Sequence, residues 1–170
     1  MVTLSKSTQK KNSHGLILIG GKNKHFKWCS TAVHSTIIKT LVENQHIDKW
    51  TITSSRRTPF EMVEKLAKLT TGSVSFYSIA ETPNGWLEDR LKESCEVWVT
   101  FDSMSMSYEA LSSGCRVHII EVTEGKFEDK FDKMRYFLLK YAAASPYENF
   151  NEGKNIAKKT MEVLLPSPNA

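Results

Sequence analysis

The sequence predicts an α/β protein, a three-layer α/β/α sandwich around a mainly parallel sheet of about five to six strands. Two observations carry this expectation. Short apolar runs and helix-period segments alternate about five times along the chain, as in a sheet with helices on both faces. The 170 residues suffice for one domain with a sizeable core, and no internal repeat or linker divides them.

Residues 1–13 are polar and read as a flexible tail; 14–165 form the single expected domain, and 166–170 a second tail. The first strand is the continuous apolar run 15–19, which ends in Gly20-Gly21 and a basic turn through Lys22, Lys24 and His25. Residues 30–43 have helical spacing, with Val33, Ile37 and Leu41 on one stripe. A second strand covers 50–53. The helix after it carries Met62, Leu66 and Leu69, with Thr58 as the expected N-cap and Pro59 as the first helical residue. Strand three is 74–77, and 82–85 is a loop before a short helix at 86–94 with Leu87 and Leu91 inward. Strand four, 97–100, feeds a helix that stops near Gly114, and strand five is 116–120. A charged loop at 121–126 follows. Phe127, Phe131, Met134, Leu138 and Tyr141 then mark an amphipathic helix, Ser145-Pro146 breaks it, and a last helix spans 152–165.

The net charge of +4 lies partly in Lys6, Lys10 and Lys11, so it permits an anionic ligand without demanding nucleic acid. No stripe of Lys and Arg interleaved with aromatics is present, and nucleic acid is not an expected partner. Three cysteines, Cys29, Cys95 and Cys115, form no CxxC pair and fit reduced thiols of a cytoplasmic protein. Cys95 and Cys115 flank strands and read as small buried apolar residues. No apolar run approaches the roughly 18 residues of a transmembrane helix, and the first residues lack the apolar core of a signal peptide. His25, Cys29 and His34 lack a matching second pair, so no metal and no resident cofactor are expected.

In parallel α/β sheets ligands sit beyond the carboxyl ends of the strands, which directs attention to 20–28, 54–58, 77–85, 100–105 and 121–126. Gly20 and Gly21 allow a sharp turn and a close approach of backbone to ligand. Ser54, Ser55, Arg56, Arg57 and Thr58 put hydroxyls and two guanidinium groups just before a helix N-terminus, a setting suited to phosphate. The alternative is that both arginines pair with surface carboxylates or face water. In the stretch 97–110, Asp102 or Ser103 is positioned to cap a helix whose start, with Ser105 and Ser107, stays small and polar. The alternative is an ordinary strand-to-helix connection with good capping. His25 is a candidate acid, base or phosphate donor, or a turn histidine without chemistry.

The blocks from Gly20 to Trp28, from Ile52 to Pro59 and from Val99 to Ala110 occur in an order that resembles the carboxyl-terminal half of the mitochondrial-fission-factor-like family. This is a bacterial family similar to two-domain glycosyltransferases of the GT-B type, and the likeness spans roughly 15–120. It implies a Rossmann-like domain that holds a nucleotide-diphosphate sugar as substrate. By that resemblance Arg56 and Arg57 face the diphosphate, and Asp102, Ser103 and Ser105 line the nucleotide or sugar pocket. Glu109 stands where ribose hydroxyls are bound, and Gly20 and Gly21 floor the cleft between two half-domains. Cys95, Phe101 and the run 114–117 depart from the family's pattern.

Two function classes follow. One is a nucleotide-sugar binding domain that needs an amino-terminal half-domain, or a homo-oligomer partner, to complete a transferase. The other is a non-catalytic interaction domain that keeps the fold. Whether the isolated chain acts as an enzyme is left open, with little activity expected of a half-domain, because transfer requires a closed cleft that positions two substrates.

Overall fold

The computed structural model describes residues 13–122, together with Lys133, Tyr136 and Lys140. The described chain runs β1 (His14–Leu18), α1 (Ser30–Glu43), β2 (Lys49–Thr53), α2 (Phe60–Ala67), β3 (Val74–Tyr77), α3 (Trp86–Glu93), β4 (Glu96–Thr100), α4 (Met104–Ser112) and β5 (Arg116–Ile120). A 3-10 turn at Ile79–Glu81, unforeseen in the sequence, precedes α3 and is closed by reciprocal bonds between Ser78 and Glu81.

All five strands are parallel, in the order β3-β2-β1-β4-β5. This is the doubly wound Rossmann-like arrangement, with its switch point between β1 and β4. β1 is central because nothing polar interrupts it: Leu16, Ile17, Leu18 and Ile19 are fully buried. Their side chains alternate between the two faces. Ile17 and Ile19 join Val33 and Ile37 of α1 and Met62 and Leu66 of α2 in one core cluster. Leu16 and Leu18 join Leu91 of α3 and Ala110 of α4 in the other. Each buried aliphatic side chain contributes about 1.5–3 kcal/mol, so the two clusters hold the layers together. α4 ends as expected, with Gly114 in the left-handed region at φ 80°.

Two boundaries differ from the sequence reading. Ser13, expected at the end of a tail, accepts backbone bonds from Asp48 and Lys49 and so adds to the β1–β2 pairing. α2 starts one residue late: Pro59, at φ −57° and ψ 143°, is its N-cap rather than its first helical residue. The cause is Thr58, whose hydroxyl bonds the carbonyls of Ile19 and Gly20 instead of the helix. Lys133, Tyr136 and Lys140 are helical and exposed; the apolar stripe expected beside them, the helix at 152–165 and both tails beyond Ser13 lie outside the described residues. No described helix is long and apolar enough to cross a membrane.

Ile17 faces α1 and α2 from the middle of the sheet with no exposure. Ile17→Ala is expected to cost about 2–5 kcal/mol in urea unfolding, with the slope unchanged. A loss below about 0.5 kcal/mol, the range of surface substitutions, would contradict the central place given to β1.

Candidate functional site

β1, β2 and β4 end side by side, and their loops are knotted together by one carboxylate. Asp102 follows β4, and its side chain has no exposed surface. Oδ2 accepts the Gly21 N–H at 2.8 Å and lies 3.1 Å from Arg57 Nη1. Arg57 Nη1 also donates to the Gly21 carbonyl at 3.1 Å, and the Arg57 carbonyl accepts the Lys22 N–H at 3.2 Å. The Gly20 N–H donates to Thr100 Oγ1 at 2.7 Å. Asn23 Nδ2 reaches the Asp102 carbonyl at 3.3 Å. Phe26 is buried edge-on against Phe101, with ring centroids 5.2 Å apart, which seats the rest of the β1 loop.

Glycine is obligatory in this knot. A Cβ at Gly20 would fall within the Asp102 carboxylate, and one at Gly21 within the Arg57 backbone. Both glycines are buried, so their close approach serves the neighbouring loops rather than a ligand in the described cleft. Burial pushes the Asp102 carboxyl above its ordinary range, against the pull of the Gly21 N–H, the Thr100 hydroxyl and the Arg57 guanidinium. Oδ1 is buried without a hydrogen-bond partner.

Above the knot lies an open cleft of about 590 Å³ at the carboxyl ends of β2, β3 and β4. One wall is the β2 loop, with Ser54, Ser55, Arg56 and Arg57; the opposite wall is the start of α4, with Ser103, Ser105, Met106 and Glu109. Ile79, Thr82, Trp86 and Leu87 complete it. Trp86 is braced by Tyr77, 5.3 Å away between centroids, and by Arg90 over its ring at 5.8 Å.

The expected residues thus divide. Arg56, Ser103, Ser105 and Glu109 line the cleft, whereas Asp102, Gly20 and Gly21 are packed into the knot and His25 is an exposed turn residue away from the lining. Asp102 was expected to line the pocket; its carboxylate is turned inward because the Gly21 N–H and Arg57 hold it there. It does not cap α4, and neither does the Ser103 side chain, so the first-turn N–H groups of α4 keep no side-chain acceptor. Three expected phosphate hydroxyls have structural partners. Ser54 Oγ accepts the Ile79 N–H at 3.1 Å, Ser55 Oγ accepts the Arg57 N–H at 3.3 Å, and Thr58 Oγ1 holds the Ile19 and Gly20 carbonyls. Arg57 lines the cleft yet is engaged by Asp102, while Arg56 is exposed with no ion pair among the described residues. Across from it, burial and then the Glu88 charge raise the Glu109 carboxyl above its ordinary range.

The sequence singled out the 77–85 loop but not Ile79, Trp86 or Met106 in the cleft wall. The available signal was Gly85, whose positive φ of 83° starts α3 and places Trp86 at its head. Among the described residues no group of His, Cys, Asp and Glu is arranged to hold a metal ion.

The Gly20–Asp102 contact allows a direct check. Gly20→Ala is expected to destabilise the chain by about 2 kcal/mol or more in urea unfolding, through overpacking. In an Asp102→Ala background the same change should cost much less, a coupling of about 1 kcal/mol or more in a double-mutant cycle. Additive losses would separate Gly20 from the carboxylate.

Comparison with known proteins adds the following. No curated protein matches the chain. A Listeria monocytogenes crystal structure, of a protein assigned as a UDP-N-acetylglucosamine 2-epimerase, matches with a TM-score of 0.49 and 12% identity. The match covers 89% of this chain and 45% of that one, so the chain spans less than half the length of that protein. That likeness bears on neither substrate nor activity. The family described as Mitochondrial fission ELM1 matches residues 3–165. On that match over nearly the whole sequence, the chain belongs to the Mitochondrial fission ELM1 family.

Proposed function

We propose that the cleft binds the nucleoside diphosphate part of a nucleotide sugar, as the donor domain of a GT-B-type glycosyltransferase. The observation that carries this reading is the uncapped start of α4 opening into the same cleft as Arg56, which has no ion pair among the described residues. Free N–H groups and the positive end of the helix favour an anion there, and a guanidinium can clamp phosphate oxygens from the facing wall. Glu109, one turn further along α4, is an acceptor suited to a ribose diol. Ile79, Trp86, Leu87 and Met106 offer apolar surface beside these groups for a base. Arg57 acts indirectly, by keeping Asp102 and the β2 loop in place.

The chemistry this supports is departure of a nucleoside diphosphate from a sugar. Negative charge growing on the leaving phosphate would meet the α4 N–H groups and Arg56. An acceptor and a second wall would come from another half-domain or a second copy, which would close the cleft and exclude water. An interaction domain without catalysis is the alternative, favoured by the structural use of Ser54, Ser55 and Thr58.

Calorimetry with UDP, GDP, ADP and CDP tests the reading. One nucleotide should bind selectively, and Arg56→Ala should weaken it about tenfold or more, the range for a hydrogen bond to a charged group. Absence of binding at millimolar nucleotide would favour the interaction domain, and affinity indifferent to Arg56→Ala would remove Arg56 from the phosphate site. The Glu109 contact has a pH signature. A diol bonds best to the ionised carboxylate, so affinity should fall as pH drops through the Glu109 pKa, and earlier than for an ordinary glutamate because that pKa is raised. Glu109→Gln should bind more weakly at neutral pH and lose this dependence; an unchanged pH profile would remove Glu109 from the ribose site.

A further inference from the structure

At the opposite end of the sheet two cysteines stand side by side. Cys95 directly precedes β4 and Cys115 directly precedes β5. The two strands are parallel and in register, with Glu96 opposite Arg116, so the cysteines occupy the preceding, adjacent positions. The Arg116 N–H donates to the Cys95 carbonyl at 3.3 Å, which ties the two strand starts together. Adjacent strands lie about 4.8 Å apart. That spacing falls inside the Cα separation of about 4.4–6.8 Å that a disulfide spans.

The thiols also share a corner. Cys115 Sγ donates to the Ser94 carbonyl at 3.2 Å, next to Cys95 in the chain, and to the Leu91 carbonyl at 3.2 Å. Cys95 Sγ donates to the His14 carbonyl at 3.3 Å, and the electrostatic influence of Cys95 reaches Cys115. S–H donors are weak, so rotating Cys95 toward its neighbour gives up little. Cys95 is exposed and Cys115 is half-buried, which presents the first thiol to an oxidant and keeps the second behind it.

We propose that Cys95 and Cys115 are a reversible oxidation site that closes to an intramolecular disulfide with a peroxide as oxidant. The Cys95 thiolate attacks one oxygen of hydrogen peroxide, the O–O bond breaks, and hydroxide leaves as water to give a sulfenic acid. The Cys115 sulfur then attacks the sulfenic sulfur, the S–O bond breaks, and a second water leaves. Two thiols are oxidised by two electrons and one peroxide is reduced to two waters. The closed loop contains β4, Asp102 and all of α4, so oxidation pins both ends of the segment that carries Ser103, Ser105 and Glu109. Burial raises the Cys115 thiol, consistent with its acting second.

The test is intact mass and non-reducing peptide mapping of the purified full chain after equimolar hydrogen peroxide. The expected product is lighter by two hydrogens, with the Cys95 and Cys115 peptides joined and released again by dithiothreitol. Cys29→Ser should leave its yield unchanged. Cys95→Ser, at an exposed position, should abolish it without harm to the fold. Oxygen added to Cys95 while Cys115 stays free, or a cross-link through Cys29, would overturn the proposal.

Discussion

Everything at the cleft depends on the buried Asp102 carboxylate. A charge taken out of water is costly unless partners meet it, and here one oxygen receives a backbone N–H and a guanidinium while the other receives none. The carboxylate therefore draws in what it needs. The β1 loop comes close enough to give up the Gly21 N–H, and the β2 loop comes close enough to give up Arg57. Gly20 and Gly21 follow as a necessity, because any Cβ would occupy the space of these contacts. The switch point of the sheet, where the chain would otherwise part, is thereby filled and fixed.

This arrangement changes which groups are free to meet a ligand. Side chains that look like phosphate binders in sequence hold loops instead, and Arg57 faces a carboxylate within its own chain. Because Asp102 is committed to the knot, it leaves the start of α4 without a cap. In the proposed site, recognition would fall to backbone N–H groups, whose positions are set by the helix, and to Arg56 on the facing loop.

The layers and the site differed in how legible they were. Strand and helix positions followed from local pattern: the unbroken apolar β1, the periodicity of α1 and the glycine that stops α4 are all short-range signals. The parallel sheet also followed from the alternation of strands and helices, whereas its strand order came only from the structure. The roles of Asp102 and Thr58 did not follow. Each carries the residue type of an N-cap close to a helix start, and each has a partner on β1 or its loop, about 80 and about 40 residues away in sequence. No spacing rule reports such a contact. Cys95 and Cys115 were read as buried apolar residues, whereas Cys95 is exposed; their adjacency is set by the β4–β5 register. Trp86 heads α3 directly after Gly85, a turn signal in the sequence, but its place in the cleft wall depends on the α4 start and β2 loop across from it, which no local pattern reports.

The central claim is that the knot leaves the start of α4 open for an anion. The most direct measurement is an amide NMR titration of the full chain with a nucleoside diphosphate. The expected result is that the largest shifts fall on the backbone amides of Met104, Ser105 and Met106 and on the Arg56 guanidinium, while the Gly21 amide, held by Asp102, keeps its position. Shifts confined to other surfaces, or a Gly21 amide that moves before those of α4, would contradict it.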